Sequence, residues 1–139
     1  MSDFAIYTED AAKVQRLLLA YQCNVKADYV LLGHRDGSVI AEVGNLGMDA
    51  TPLAVLGVAS FDSAKQIGLM LGEGAFRAIS YSGDDRSIYI APVDETLLLI
   101  QIFSGSRLPP RIEEYNKLLV EKLIEAVPAF TKNTSKLPR

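Results

Sequence analysis

The run at residues 96–103, TLLLIQIF, constrains the fold of this chain most. A strand lying on the surface of a sheet alternates apolar with polar residues. This run is apolar nearly throughout, as expected for a central strand covered on both faces. Burying it requires a layer of structure on each side of the sheet.

The rest of the chain supplies those layers. Residues 8–24 place Ala11, Val14, Leu17, Leu18 and Tyr21 at helical spacing, with Lys13, Gln15, Arg16 and Gln22 between them. Thr8 is the expected N-cap, Glu9 and Asp10 suit the positive end of the helix dipole, and Asn24 is the expected stop. Residues 29–33 and 38–43 are short apolar runs of strand type, and Arg35-Asp36-Gly37 between them is turn chemistry. Residues 76–82 and 86–91 read as two further strands, turned at Gly83-Asp84-Asp85, with a second turn at residues 92–95. A last helix is predicted from Pro110 to Pro128, with Ile112, Tyr115, Leu119, Leu123 and Ala126 on one face.

Between these lies the most unusual segment. Thr51-Pro52 is read as an N-cap followed by proline at the first helical position. The helix runs through LAVLGVASFDSAKQIGLML and stops at Gly72. A helix packed on one sheet needs an apolar stripe of roughly 100°. Here polar side chains are confined to Ser60, Asp62, Ser63, Lys65 and Gln66, and Ala54, Gly57, Ala59, Ala64 and Gly68 would let another backbone come close. The expectation is a helix covered on two sides, by its own sheet and by a partner. The order is α-ββ-α-βββ-α: an α/β sandwich around a five-stranded, mainly antiparallel sheet. The first and last helices share one face and the apolar helix takes the other.

Composition narrows the functional classes. At 139 residues the chain is the size of one domain, and 49% apolar against 22% charged residues marks it as globular. Fourteen basic and 17 acidic residues give a net charge of −3, with no basic stripe, so nucleic-acid binding is not expected. No apolar run approaches the ~20 residues that span a bilayer, and acids stand where a secretory signal carries lysine or arginine. A cytoplasmic protein is therefore expected. The single Cys23 permits no internal disulfide, and with the single His34 it rules out a zinc site of the usual Cys/His type. Asn133-Thr134-Ser135 fits a glycosylation sequon but has no meaning without secretion. Residues 1–128 are taken as the domain. Residues 129–139, with Lys132, Lys136 and Arg139, are taken as a flexible basic tail carrying too few charges for stable membrane anchoring.

No active site is visible. His34-Arg35-Asp36 opens like a kinase catalytic loop, but Ala41 stands where the magnesium-binding Asn is required, and no Gly-rich nucleotide loop precedes it. Gly72-Glu73-Gly74 begins a dinucleotide fingerprint that fails at Arg77 and follows a helix instead of a strand. His34 has no serine in a nucleophile elbow to serve. The acid pairs at 84–85, 94–95 and 113–114 fall in turns or a helix start, where solubility and capping explain them. No cofactor or metal is expected. What remains is a surface. An over-apolar helix beside an edge strand favours pairing across a two-fold axis. A homodimer is expected, with Gly57, Ala64, Gly68, Phe76 and Ala78 at its interface.

Together, YVLLGHRDGSVIAE, the helix from TPLAVL to LMLGEGAF, the run RSIYIAPVDETLLLIQIF and the final amphipathic helix resemble the Roadblock dynein light-chain family. Within it they resemble the MglB-like members, bacterial partners of a Ras-like GTPase. The resemblance covers about residues 8–127. It implies a dimer joined through third-strand edges and second helices. It also implies binding of one small Ras-like GTPase, whose GTP hydrolysis is stimulated by holding its own switch regions in place, with no catalytic side chain supplied. The second helix departs from the pattern: Val58-Ala59-Ser60, followed by Phe61-Asp62, stands where MglB-like helices often carry Ala-Gly-Asn and small residues. Ala59, Asp62, Ser63 and Gln66 lie one helical turn apart and are the expected partner contacts. The alternative is a non-catalytic scaffold module of the same fold.

Overall fold

A computed structural model describes residues 8–74 and 76–127, with only the backbone of Thr8 and Glu9. Eight elements follow in the expected order: α1 (Thr8–Val25), β1 (Tyr29–His34), β2 (Val39–Gly44), α2 (Thr51–Met70), β3 (Ile79–Ser82), β4 (Arg86–Pro92), β5 (Leu97–Ser104) and α3 (Ile112–Ala126). The five strands form one sheet in the order β2-β1-β5-β4-β3, and every described pairing is antiparallel.

Strand β5 is central, and its side chains divide by parity. Leu97, Leu99 and Phe103 enter a core with Val14, Leu18 and Tyr21 of α1 and Leu119 and Leu123 of α3. Leu98, Ile100 and Ile102 enter a second core with Ala54 and Phe61 of α2. Strand β1 divides the same way, with Val30 and Leu32 on the α1/α3 face and Tyr29 and Leu31 on the α2 face. Each fully buried leucine contributes about 1.5–3 kcal/mol of transfer free energy. The inner strands, with faces that alternate, therefore hold both helical layers from one sheet.

Several local expectations are corrected. Helix α1 ends at Val25, not Asn24. Lys26 takes the left-handed conformation (φ 58°) and the Ala27 N–H bonds back to the Gln22 carbonyl at 3.0 Å. The side chain of Thr8 lies outside the described residues. Thr51 is not the cap of α2 but its first residue. Asp49, one position before the N-cap Ala50, accepts from the Thr51 N–H and Oγ1 at 3.2 Å each. Strand β3 starts at Ile79 instead of Phe76, because α2 closes with Gly72 left-handed (φ 71°) and turns the chain back on itself. There the Glu73 N–H bonds to the Gly68 carbonyl at 2.8 Å and the Gly72 N–H to that of Leu69 at 3.3 Å, a paired helix-ending motif. Helix α3 begins at Ile112, after a left-handed Arg111, and buries Asn116 where the periodicity predicts Tyr115. Pro128, the sequon and the tail fall outside the described residues.

Candidate interaction surface

In the hairpin corner that resembles a catalytic loop, His34, Asp36 and Gly37 build the turn itself. The Asp36 carboxylate accepts from Ser38 N–H at 2.8 Å and from Ser38 Oγ at 2.5 Å. His34 Nδ1 accepts from the Asp36 N–H at 3.0 Å. Gly37 completes the turn in the left-handed region (φ 92°), its N–H on the His34 carbonyl at 2.8 Å. These are turn-forming interactions of an Asp-Gly corner. The β4–β5 turn repeats the device: Asp94 accepts from Thr96 N–H at 2.7 Å and Leu97 N–H at 2.9 Å. Among the described residues, no three His, Cys, Asp or Glu side chains converge on a point where a metal could sit. No described helix is long and apolar enough to cross a membrane.

Helix α2 carries the feature that stands out. Its inner side is made of Ala54, Gly57, Phe61 and Gly68, all buried. At Gly57 the helix lies directly on the sheet: a Cβ there would stand 2.3 Å from Ile100 Cδ1. A Cβ at Gly68 would meet the Gly74 carbonyl at 3.2 Å and the Phe76 ring at 3.4 Å. The smallness of both glycines is thus used within the chain. The opposite side of α2 leaves Val55, Leu56, Ile67 and Met70 in solvent, Leu56 at 65% and Met70 at 85% exposure, with Leu69 and Leu71 exposed at the helix end. Large apolar side chains exposed at both ends of one helix face are a feature of surfaces that meet a partner.

The expected contact residues separate by environment. Ala59, Ser63 and Gln66 are exposed on this outer side, one turn apart. Asp62, between them, is half-buried because its carboxylate pairs with the guanidinium of Arg35 in the hairpin corner. Phe61, adjacent to it, is buried in the α2 core. Of the expected interface residues, Gly57 and Gly68 face inward, Ala64 is half-buried, and Phe76 packs on Gly68 ahead of the strand. Ala78 packs against the α1/α3 core.

The sheet has two edges of different character. At β2, Gln15 of α1 donates through Nε2 to the Glu42 carbonyl at 3.0 Å, so a helix side chain occupies part of that edge. Strand β3, at the other end of the sheet, is mostly exposed, with Tyr81 at 48%. An edge of this kind presents its backbone groups for pairing.

One arrangement had no warning in the sequence beyond two polar residues at core positions. Gln101 of β5 is fully buried, donates to Asn116 Oδ1 at 2.7 Å and accepts from Tyr21 Oη at 2.6 Å, so one side chain ties α1, the sheet and α3 together. Burial holds the Tyr21 phenol above its ordinary pKa, with the nearby Tyr89 acting in the same direction.

The profile of the Roadblock/LC7 domain family matches residues 13–102. No curated protein matches the chain in sequence. Among solved structures, the chain is similar to the gliding protein MglB from Thermus thermophilus, at TM-score 0.78 and 21% identity over 92% of this chain and 98% of that one. It is similar to Myxococcus xanthus MglB at TM-score 0.79 and 20% identity, over 97% and 99% of the two chains. A third, described as "MglB with tetrameric arrangement", aligns at TM-score 0.79 and 21% identity over 92% of this chain and 97% of that one.

Proposed function

The chain belongs to the Roadblock/LC7 domain family, and from that premise we propose that it is a homodimeric regulator of a small Ras-like GTPase. In this reading the dimer binds the GTPase and speeds GTP hydrolysis by stabilising the switch regions. It contributes no catalytic residue of its own.

The observation that carries this reading is the outer face of α2. It has exposed apolar ends, at Val55 and Leu56 and again at Ile67 and Met70, and a small, polar middle at Ala59, Ser63 and Gln66. Apolar ends suit association of two copies, and the exposed β3 strand offers a sheet edge for the same purpose. The middle suits a partner that must also leave. The similarity in fold to proteins named MglB supports the choice of a GTPase. Catalysis without a donated side chain is physically sufficient, since phosphoryl transfer depends mainly on positioning and electrostatic stabilisation.

The test is titration of the purified chain against an MglA-type GTPase loaded with GTP, following complex formation and phosphate release together. Binding with accelerated release is expected. Absence of a complex would reject the reading. A complex indifferent to the bound nucleotide would favour a scaffold role instead. That second reading draws on the sequence of α2, where Val58-Ala59-Ser60 differs from the pattern of MglB-like helices.

A further inference from the structure

We infer that Arg35 is a positioning residue for the partner-facing side of α2, acting through Asp62 without itself contacting the partner. The inference rests on the GTPase-binding reading above. It changes the role of Asp62 from direct contact to internal anchor.

Arg35 starts from a fixed point. Its backbone N–H donates to the Thr96 carbonyl at 2.8 Å, which ties the β1–β2 corner to the β4–β5 turn. Asp36 and Gly37 lock the same corner from within through Ser38 and His34. From there the Arg35 guanidinium reaches α2 and pairs with Asp62, leaving the Arg35 side chain 24% and the Asp62 side chain 50% exposed. A second contact lies two turns earlier on the helix, where a Cβ added at Gly37 would stand 2.9 Å from Val55 Cγ2. The corner therefore touches the flank of α2 at two points along its axis.

The helix needs such a flank contact because of how it meets the sheet. Its fully buried residues are Ala54, Gly57, Phe61 and Gly68, with the partly buried Leu53 and Val58 at the margin of the same core; no large α2 side chain after Phe61 packs there. Rotation about a helix axis is normally resisted by large side chains seated between those of the neighbouring layer. Small residues allow close approach but resist rolling poorly. Asp62 lies three residues from Ala59, one from Ser63 and four from Gln66, so holding its carboxylate sets where those three exposed residues point. A half-exposed ion pair is weak in absolute terms. It still shifts the balance between orientations that differ little in energy.

The experiment compares wild type, Arg35→Ala, Asp62→Ala, the double variant and the charge swap Arg35→Asp/Asp62→Arg. Affinity for an MglA-type GTPase loaded with a non-hydrolysable GTP analogue is measured for each. Amide exchange across residues 51–70 is followed in each chain alone. The expected result is that each single variant binds roughly two- to fivefold more weakly. The double variant should be no worse than either single, and the swap should recover most of the binding. Exchange along α2 should rise in the singles and fall back in the swap. Weakening by Asp62→Ala alone, or effects that add, would make Asp62 a direct contact and overturn the inference. If wild type forms no complex, the GTPase reading fails separately. The exchange arm then decides alone: unchanged α2 exchange in Arg35→Ala overturns the brace, and raised exchange supports it.

Discussion

Gln101 and Asn116 share a 2.7 Å hydrogen bond inside the core, joining the central strand to the last helix. Gln101 also accepts from Tyr21, so its amide oxygen and one of its N–H groups are satisfied from two different helices. Among the described residues no buried side-chain polar atom lacks a hydrogen-bond partner. Removing one partner leaves a buried amide unsatisfied, which costs the desolvation of that group. Asn116→Leu and Tyr21→Phe should each lower stability by about 1–3 kcal/mol. Asn116→Leu combined with Gln101→Leu should cost less than the sum of the two singles. Urea denaturation midpoints, analysed as a double-mutant cycle, would show this; strict additivity would mean the groups are not coupled.

Alkaline pH should destabilise the fold through its tyrosines. Burial raises the Tyr21 pKa, and burial together with a 2.7 Å hydrogen bond to Glu42 raises that of Tyr29. The folded state then keeps protons that the unfolded chain releases above a pH of about 10. Stability is fully present below that pH and falls as pH rises beyond it, by at most about 1.4 kcal/mol per pH unit for each phenol. Denaturation midpoints between pH 8 and 11 should decline in wild type. Tyr29→Phe should show a shallower decline, whatever its stability at neutral pH.

A side chain at Gly57 should be destabilising while Ile100 keeps its δ-methyl. The substitution Gly57→Ala forces the Ile100 δ-methyl aside in a filled core, a disturbance of about 1–3 kcal/mol. Ile100→Val removes that methyl and should recover part of the loss. Losses in the double variant that equal the sum of the two single losses would show that the δ-methyl is not what the new side chain displaces.

Substitutions on the outer side of α2 should separate function from folding. Ser63→Arg and Gln66→Arg alter exposed positions and should leave denaturation midpoints within about 0.5 kcal/mol of wild type. If the proposed function holds, they should abolish binding of the GTPase. Ile67→Lys with Met70→Lys should leave the fold intact and lower the mass measured by light scattering at micromolar concentration. A wild-type mass of two copies that the substitutions leave unchanged would place the contact elsewhere, and a wild-type mass of one copy would reject the homodimer.

How much of this could be read in advance depends on the range of the interaction. The Asp36-Gly37 corner was legible because an Asp-Gly turn is made by neighbouring residues. The burial of residues 97–103 was legible because a strand without a polar face must be covered on both sides. The limits of α2 and β3 were blurred. Asp49 and Thr51 are both capping-type residues, and only the structure shows that the Asp49 carboxylate takes the Thr51 N–H; the stop at Gly72 was legible, but not the fold-back of Glu73 onto Gly68 that delays β3. Tyr115 and Asn116 could not be told apart by periodicity, since only the buried Gln101, 15 residues away, makes an inward asparagine favourable.

Sequence alone determined the two-sided burial of the central strand, because a strand without a polar face must be covered on both sides, and it marked α2 as more apolar than one sheet contact requires. It did not determine what covers each side. Gly57 reads as a small residue offered to a partner, yet the tertiary structure sets it against Ile100. Asp62 reads as a surface contact, yet it is held by Arg35, 27 residues earlier in the chain. The direction in which a helix turns a given residue depends on how the whole helix sits on its sheet. That orientation comes from contacts between segments far apart in the chain, and no local pattern carries it.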